Sequence, residues 1–174
     1  MQFEEYLETA EKFHELACNE PPEGTGNRYV VASVLFSWIA MEAFVNHMME
    51  DFAAIPPELF TVHERGFLQE REVEFSMTGD TLGQFVIKNS RKYQNIGNKI
   101  AFLIARFSPG TKIDKGSTFW QRFEAAKGVR DALSHPRKGV DTSISPEEAW
   151  QALEVARDVI RFLGIKVWGK TIEV

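Results

Sequence analysis

Apolar residues recur at helical spacing along most of this chain. Between Gln2 and Ala17 they fall at Phe3, Tyr6, Leu7, Ala10, Phe13, Leu16 and Ala17, the period of one helix face. Asn19 to Asn27, with Pro21, Pro22, Gly24 and Gly26, reads as a loop. Arg28 to Phe52 then predicts a long helix, apolar around most of its circumference and therefore central. Pro56 and Pro57 end it and are suited to the start of another helix reaching about Gln69. Glu70 to Gly79 alternates at Val73, Phe75 and Met77, which fits a short strand or an extended loop, and Thr81 to Ser90 reads as a short helix.

The second half is patterned more clearly. Ile96 to Phe107 predicts a helix with Ile100, Leu103, Ile104 and Phe107 on one side. Ser117 to about Ser134 predicts another, turning Phe119, Trp120, Phe123, Ala126 and Leu133 inward, and Pro136 stops it. Ser145, Pro146 and Glu148 give the last helix a cap, a first-turn proline and a capping box. Its stripe is Trp150, Leu153, Ala156, Ile160 and Leu163, with Gly164 as the expected stop. The tail, Ile165 to Val174, alternates as a short strand or a packed arm would. The expectation is an all-α, up-and-down bundle of five to seven helices. It forms one domain over residues 1–174, with a core at about 28–163 and a possible short C-terminal strand or arm.

Composition supports a folded core, since 44% of the 174 residues are hydrophobic and 14 are Phe. Cys18 is the only cysteine, which excludes an internal disulfide and points to a reducing, cytoplasmic setting. It is read as a small core residue without chemistry. Met1 to Glu11 holds Glu4, Glu5, Glu8 and Glu11, the wrong charge for a secretory leader. Tyr29 to Met49 raises a membrane question, but Glu42 and His47 interrupt it, and a buried helix fits better than a span.

The net charge of −5 conceals a segregation. Met1 to Ile87 holds 4 Lys/Arg against 16 Asp/Glu, whereas Lys88 to Lys138 holds 12 against 3. An acidic protein thus carries one basic segment, either a nucleic-acid footprint or a face balanced by the acidic half.

The chemistry concentrates at the end of the penultimate helix, in Val129-Arg130-Asp131-Ala132-Leu133-Ser134-His135-Pro136. Asp131 and His135 stand four apart and share a helix face, so the carboxylate could orient the imidazole. Arg130 points elsewhere on a continuous helix, and converges with His135 only if the helix ends near Ser134. Arg can hold a phosphate through paired hydrogen bonds, and His can move a proton near neutral pH. With RNA the attacking group is the substrate's own 2′-hydroxyl, so this kit needs neither metal nor protein nucleophile. Polar residues here could equally serve only as a helix cap. His14, His47 and His63 lack metal-ligand spacing, and no phosphate loop is present, so no metal or cofactor is expected.

Arg130 to His135 resembles the R-x4–6-H motif of HEPN domains (higher eukaryotes and prokaryotes nucleotide-binding), in its four-residue-spacer form, with Asp131 as the polar residue that commonly follows the Arg. A second segment, Ser37 to Asn46, is similar to the Glu-x-x-x-Asn that several branches carry on a long early helix, here Glu42 and Asn46. The resemblance spans roughly Arg28 to Leu163. It implies a metal-independent endoribonuclease of toxin or defence type, working as a homodimer whose Arg and His residues meet in one cleft. Arg130 would bind the scissile phosphate, His135 would be the general acid or base, and Asp131 would support them. Arg137 and Lys138 could contact an RNA backbone. Glu42 and Asn46, on a nearly all-apolar helix, are expected inside, either in a structural bond to a basic side chain or at the rim of the cleft. RNA and an antitoxin or other protein are the implied partners. The alternative is a non-catalytic module of the same fold acting through a protein or nucleotide.

Overall fold

The computed structural model describes residues 2–20, 26–135 and 143–174. Among the described residues six α-helices and one small sheet follow in order: α1 (Gln2–Asn19), α2 (Gly26–Ala53), α3 (Val62–Leu68), β1 (Arg71–Phe75), β2 (Phe85–Arg91), α4 (Ile96–Phe107), α5 (Thr118–Ser134) and α6 (Pro146–Leu163). The chain packs as two compact units, one of residues 1–44 and 104–174 and one of 45–103. The expected helical class holds in its coarse form, with a β-hairpin added.

In the first unit α6 packs on α1 and α5. Its inner face, including Leu153, Val159, Ile160 and Leu163, is fully covered. Between α1 and α2, Ala10 and Ser33 are both completely buried, and their small size lets the backbones approach. Ser33 Oγ donates to the Ala10 carbonyl at 2.9 Å, which satisfies the buried hydroxyl. Phe44 is also fully buried, with edge contacts to Phe3 at 5.0 Å and Trp168 at 5.3 Å. Burying such a ring contributes about 2–3 kcal/mol. α2 is long and apolar enough to cross a membrane, but half of its most apolar stretch is buried here against protein.

α6 starts as the sequence predicts: Ser145 Oγ accepts from Glu148 N, and the Glu148 carboxylate accepts from Ser145 N. Its end differs. Gly164 keeps helical angles, and the chain continues as one wide π-helical turn to Trp168 before Gly169 turns it at φ 67°. Gly164 is needed for space: a Cβ there would stand 2.5 Å from Ile172 Cγ1. The tail lies against the bundle as an arm without strand pairing, and the carbonyl of Val174 accepts from Arg161.

The second unit holds the hairpin and corrects the helix expected over Thr81 to Ser90. Phe85, Val86 and Ile87 are aromatic or β-branched, and they pair antiparallel with Phe75, Glu74 and Val73. Gly79 and Gly83, both at positive φ, close the turn, and Phe75 meets Phe85 edge-on at 5.3 Å. Lys99 on α4 is 92% buried yet paired, since it donates to Asn46 Oδ1 at 2.8 Å and bridges Glu70 Oε1 at 2.7 Å. Burial would push the Glu70 carboxyl up, but the Gln94 backbone N–H and the Lys99 ammonium outweigh it and hold the group below its usual range.

Candidate functional site

Arg130 sits just before the last turn of α5, with its guanidinium 4.6 Å from the centroid of the Trp38 ring on α2. Trp38 is itself fixed: it is only 5% exposed and stacks on Phe123 of α5 at 5.8 Å. The stack therefore grows out of the apolar seam between α2 and α5. A guanidinium on a buried indole face gains a cation–π attraction of about 1–2 kcal/mol.

Two carboxylates complete the holder. Glu42, one turn after Trp38, accepts from Trp38 Nε1 at 2.7 Å and from Arg130 Nη2 at 3.1 Å, both through Oε1. Asp131 Oδ1 accepts from Arg130 Nη1 at 2.8 Å. Arg130 Nε is buried and has no hydrogen-bond partner among the described residues. The three side chains sum to a formal charge of −1 if all are ionised.

Helix α5 ends at Ser134, the condition for Arg130 and His135 to leave opposite faces. His135 is the C-cap at φ −132°, ψ 63°; its backbone N–H donates to Asp131 O at 2.9 Å, and its side chain is exposed. The expected Asp131–imidazole bond is absent among the described residues. Asp131 turns to its neighbour Arg130 instead, in one charge-assisted hydrogen bond from Nη1, while His135 has left the helical face.

Sequence reasoning joined Glu42 and Asn46 as one pair, and the structure separates them. Glu42 is half-buried and belongs to the Arg130 cluster. Asn46 is exposed, contrary to the expected interior position, and serves Lys99 in the second unit. Arg137 and Lys138 lie outside the described residues. The residue that sequence reasoning left without a role is Trp38. Its signal was available, since an aromatic four residues before a Glu on one helix presents a ring and an acceptor side by side.

Cys18 departs most from expectation. It is exposed on the last turn of α1, with Sγ 3.6 Å from His14 Nδ1. Trp150, expected in the α6 core stripe, is 41% exposed, with its ring 5.2 Å from His14. The rest of that stripe, Leu153, Ala156, Ile160 and Leu163, is buried as expected, and Ala149 and Ala152 take the buried positions on either side of Trp150.

Among the described residues no group of three or more His, Cys, Asp or Glu could hold a metal ion. Compared with protein-family models, curated proteins and solved structures, the chain finds no match.

Proposed function

We propose that this chain is a HEPN-like domain acting as a metal-independent endoribonuclease, with Arg130 as phosphate-binding residue and His135 as general acid or base. The observation that carries the reading is the meeting of Glu42 and Arg130. They come from two segments singled out separately, 88 residues apart, and join beside a helix end that presents an exposed histidine. Arg130 is held by an aromatic face and two acceptors, so little freedom is lost when it binds an anion. Two of the five N–H groups of a guanidinium are engaged here, which leaves donors for phosphate oxygens. The Asp131 contact is an ion pair at a half-exposed carboxylate, worth about 0–1 kcal/mol, so a phosphate can displace it.

The reaction is a transesterification. The ribose 2′-oxygen attacks the adjacent phosphorus, its proton passes to a base, and the 5′-oxygen leaves with a proton from an acid. The products are a 2′,3′-cyclic phosphate and a 5′-hydroxyl. One imidazole cannot fill both roles in the same step, so the reading includes a homodimer in which each subunit brings a His135. A toxin or defence role, with an antitoxin as partner, rests on the resemblance alone.

The negative sum of charge around Arg130 favours a second reading, a non-catalytic module in which Arg130 only ties α5 to α2. Cleavage of a mixed RNA in EDTA by the wild-type protein and by His135→Ala separates them. The nuclease reading expects cuts ending in 2′,3′-cyclic phosphate, reduced at least ~100-fold in the variant. Folded wild-type protein that leaves RNA intact would favour the binding module.

A further inference from the structure

Helix α2 gives way after Ala53 to Ala54-Ile55-Pro56-Pro57, a turn without spare backbone donors. Ala54 N and Ile55 N donate to Glu50 O and Phe52 O, and the two prolines have no N–H. This turn and α3 border an open hollow of about 300 Å³, wholly within the second unit. Ile55, Pro57, Phe60 and Leu68 give it apolar walls. Arg65 and Gln69, four residues apart, supply its polar side chains. Among the described residues no carboxylate lines it.

Arg65 is the unusual member. It is half-buried, and its Nε is covered by protein with no hydrogen-bond partner among the described residues. Arg130 and Arg157 also bury an unpaired Nε, but each carries carboxylates on its Nη groups. The Arg65 guanidinium makes no ion pair and no hydrogen bond among the described residues. The adjacent carboxylate, Glu64, serves the α3 cap, where it accepts from Thr61 N at 2.8 Å. Arg65 has therefore given up part of its water and gained no acceptor in return. Its covered Nε holds the head at the wall of the hollow, and its Nη groups stay open to a ligand.

We infer that this hollow binds a small monocarboxylate with an apolar body, about the size of benzoate. The two carboxylate oxygens accept from the Arg65 Nη groups, the paired geometry that a planar guanidinium favours. The body lies against Ile55, Pro57, Phe60 and Leu68 and takes their exposed apolar surface out of water. The turn offers no free backbone N–H, so the carboxylate has Arg65 as its seat and the ligand has one orientation. One cation, uncompensated by any lining carboxylate, calls for one negative charge. A hollow of about 300 Å³ is at the small end for organic ligands, and a bare inorganic anion would leave its apolar walls wet. This site is independent of the Arg130 cluster and of any ribonuclease activity.

The test is a backbone-amide NMR titration of the full chain at constant ionic strength. The probes are benzoate, its neutral counterpart benzamide, and inorganic phosphate as an anion without an apolar body. Wild type is compared with Arg65→Met, which keeps the apolar stem, and with Ala54→Phe, which fills the hollow and leaves Arg65 in place. Circular dichroism checks that each variant folds. For a ligand this small a Kd of about 1 mM is expected for benzoate, with the shifted amides centred on residues 53–69. Benzamide and phosphate should each bind at least ~10-fold more weakly, the first for want of charge and the second for want of a body. Arg65→Met should bring benzoate down to the level of benzamide, and Ala54→Phe should weaken both. Benzoate that binds no better than benzamide, or equally well to Arg65→Met, would overturn the proposal and mark Arg65 as a merely solvated side chain. Phosphate binding as tightly as benzoate would overturn the ligand class, and benzoate shifts confined to other parts of the chain would overturn the site.

Discussion

At the scale of single residues, Glu42 holds the most. One oxygen accepts from a buried indole N–H and from a guanidinium, so it joins the aromatic seam to the charged rim. Removing it leaves two donors without an acceptor. Glu42→Ala should cost about 1–3 kcal/mol, reduced by the partial exposure of the cluster, and urea unfolding measures this. Glu42→Gln keeps an acceptor in place and should lose less than half as much. Equal losses in the two variants would mean that charge, and not the hydrogen bonds, holds Arg130. The sequence made Arg130, Asp131 and Glu42 visible as candidates, because arginine and carboxylates on apolar helices need partners. Which partner each takes was not visible. Asp131 could have turned to His135 or Arg130, and only the helix end at Ser134 decides that.

At the scale of elements, legibility followed how locally each one is specified. The capping box of α6 lies within four residues, and its start was read correctly. The hairpin was not, because the pairing of Phe85 with Phe75 depends on a turn closed by Gly79 and Gly83. The strand's run of Phe85, Val86 and Ile87 is too short for its period to exclude a helix. Gly164 was read as a stop from its type alone, whereas its constraint comes from Ile172 folding back onto it. Gly66 on α3 is a parallel case in the second unit, where a Cβ would lie 2.3 Å from Val73 Cγ2 on β1. Gly66→Ala should therefore destabilise by about 1–3 kcal/mol, despite alanine's better helix propensity. The neighbouring atom is a side-chain methyl, so Val73→Ala should restore room. Chemical denaturation of both single variants and the double variant measures the coupling. An additive double variant would show that the crowding is relieved elsewhere.

At the scale of the whole molecule, the segregation of charge along the sequence does not survive folding as a segregation of partners. Cations of the basic segment are matched with carboxylates within each unit: Lys88 with Glu74 and Lys99 with Glu70 in one, Arg122 with Asp158 and Arg130 with Glu42 in the other. These pairs favour the balanced-face reading of Lys88 to Lys138 over a long basic track. If RNA is the substrate, it should be gripped at few phosphates, chiefly around Arg130. For single strands, log affinity falls with log salt at about 0.7 per phosphate contact, so two to three contacts predict a slope of about −2. Titrating His135→Ala with a short single-stranded RNA across salt concentrations measures it without cleavage. A slope steeper than about −4 would mean that the paired cations open to the strand, and that a wide basic surface forms on binding. Binding that is absent even at low salt would remove RNA as the ligand of the Arg130 cluster and leave it as the tie between α5 and α2.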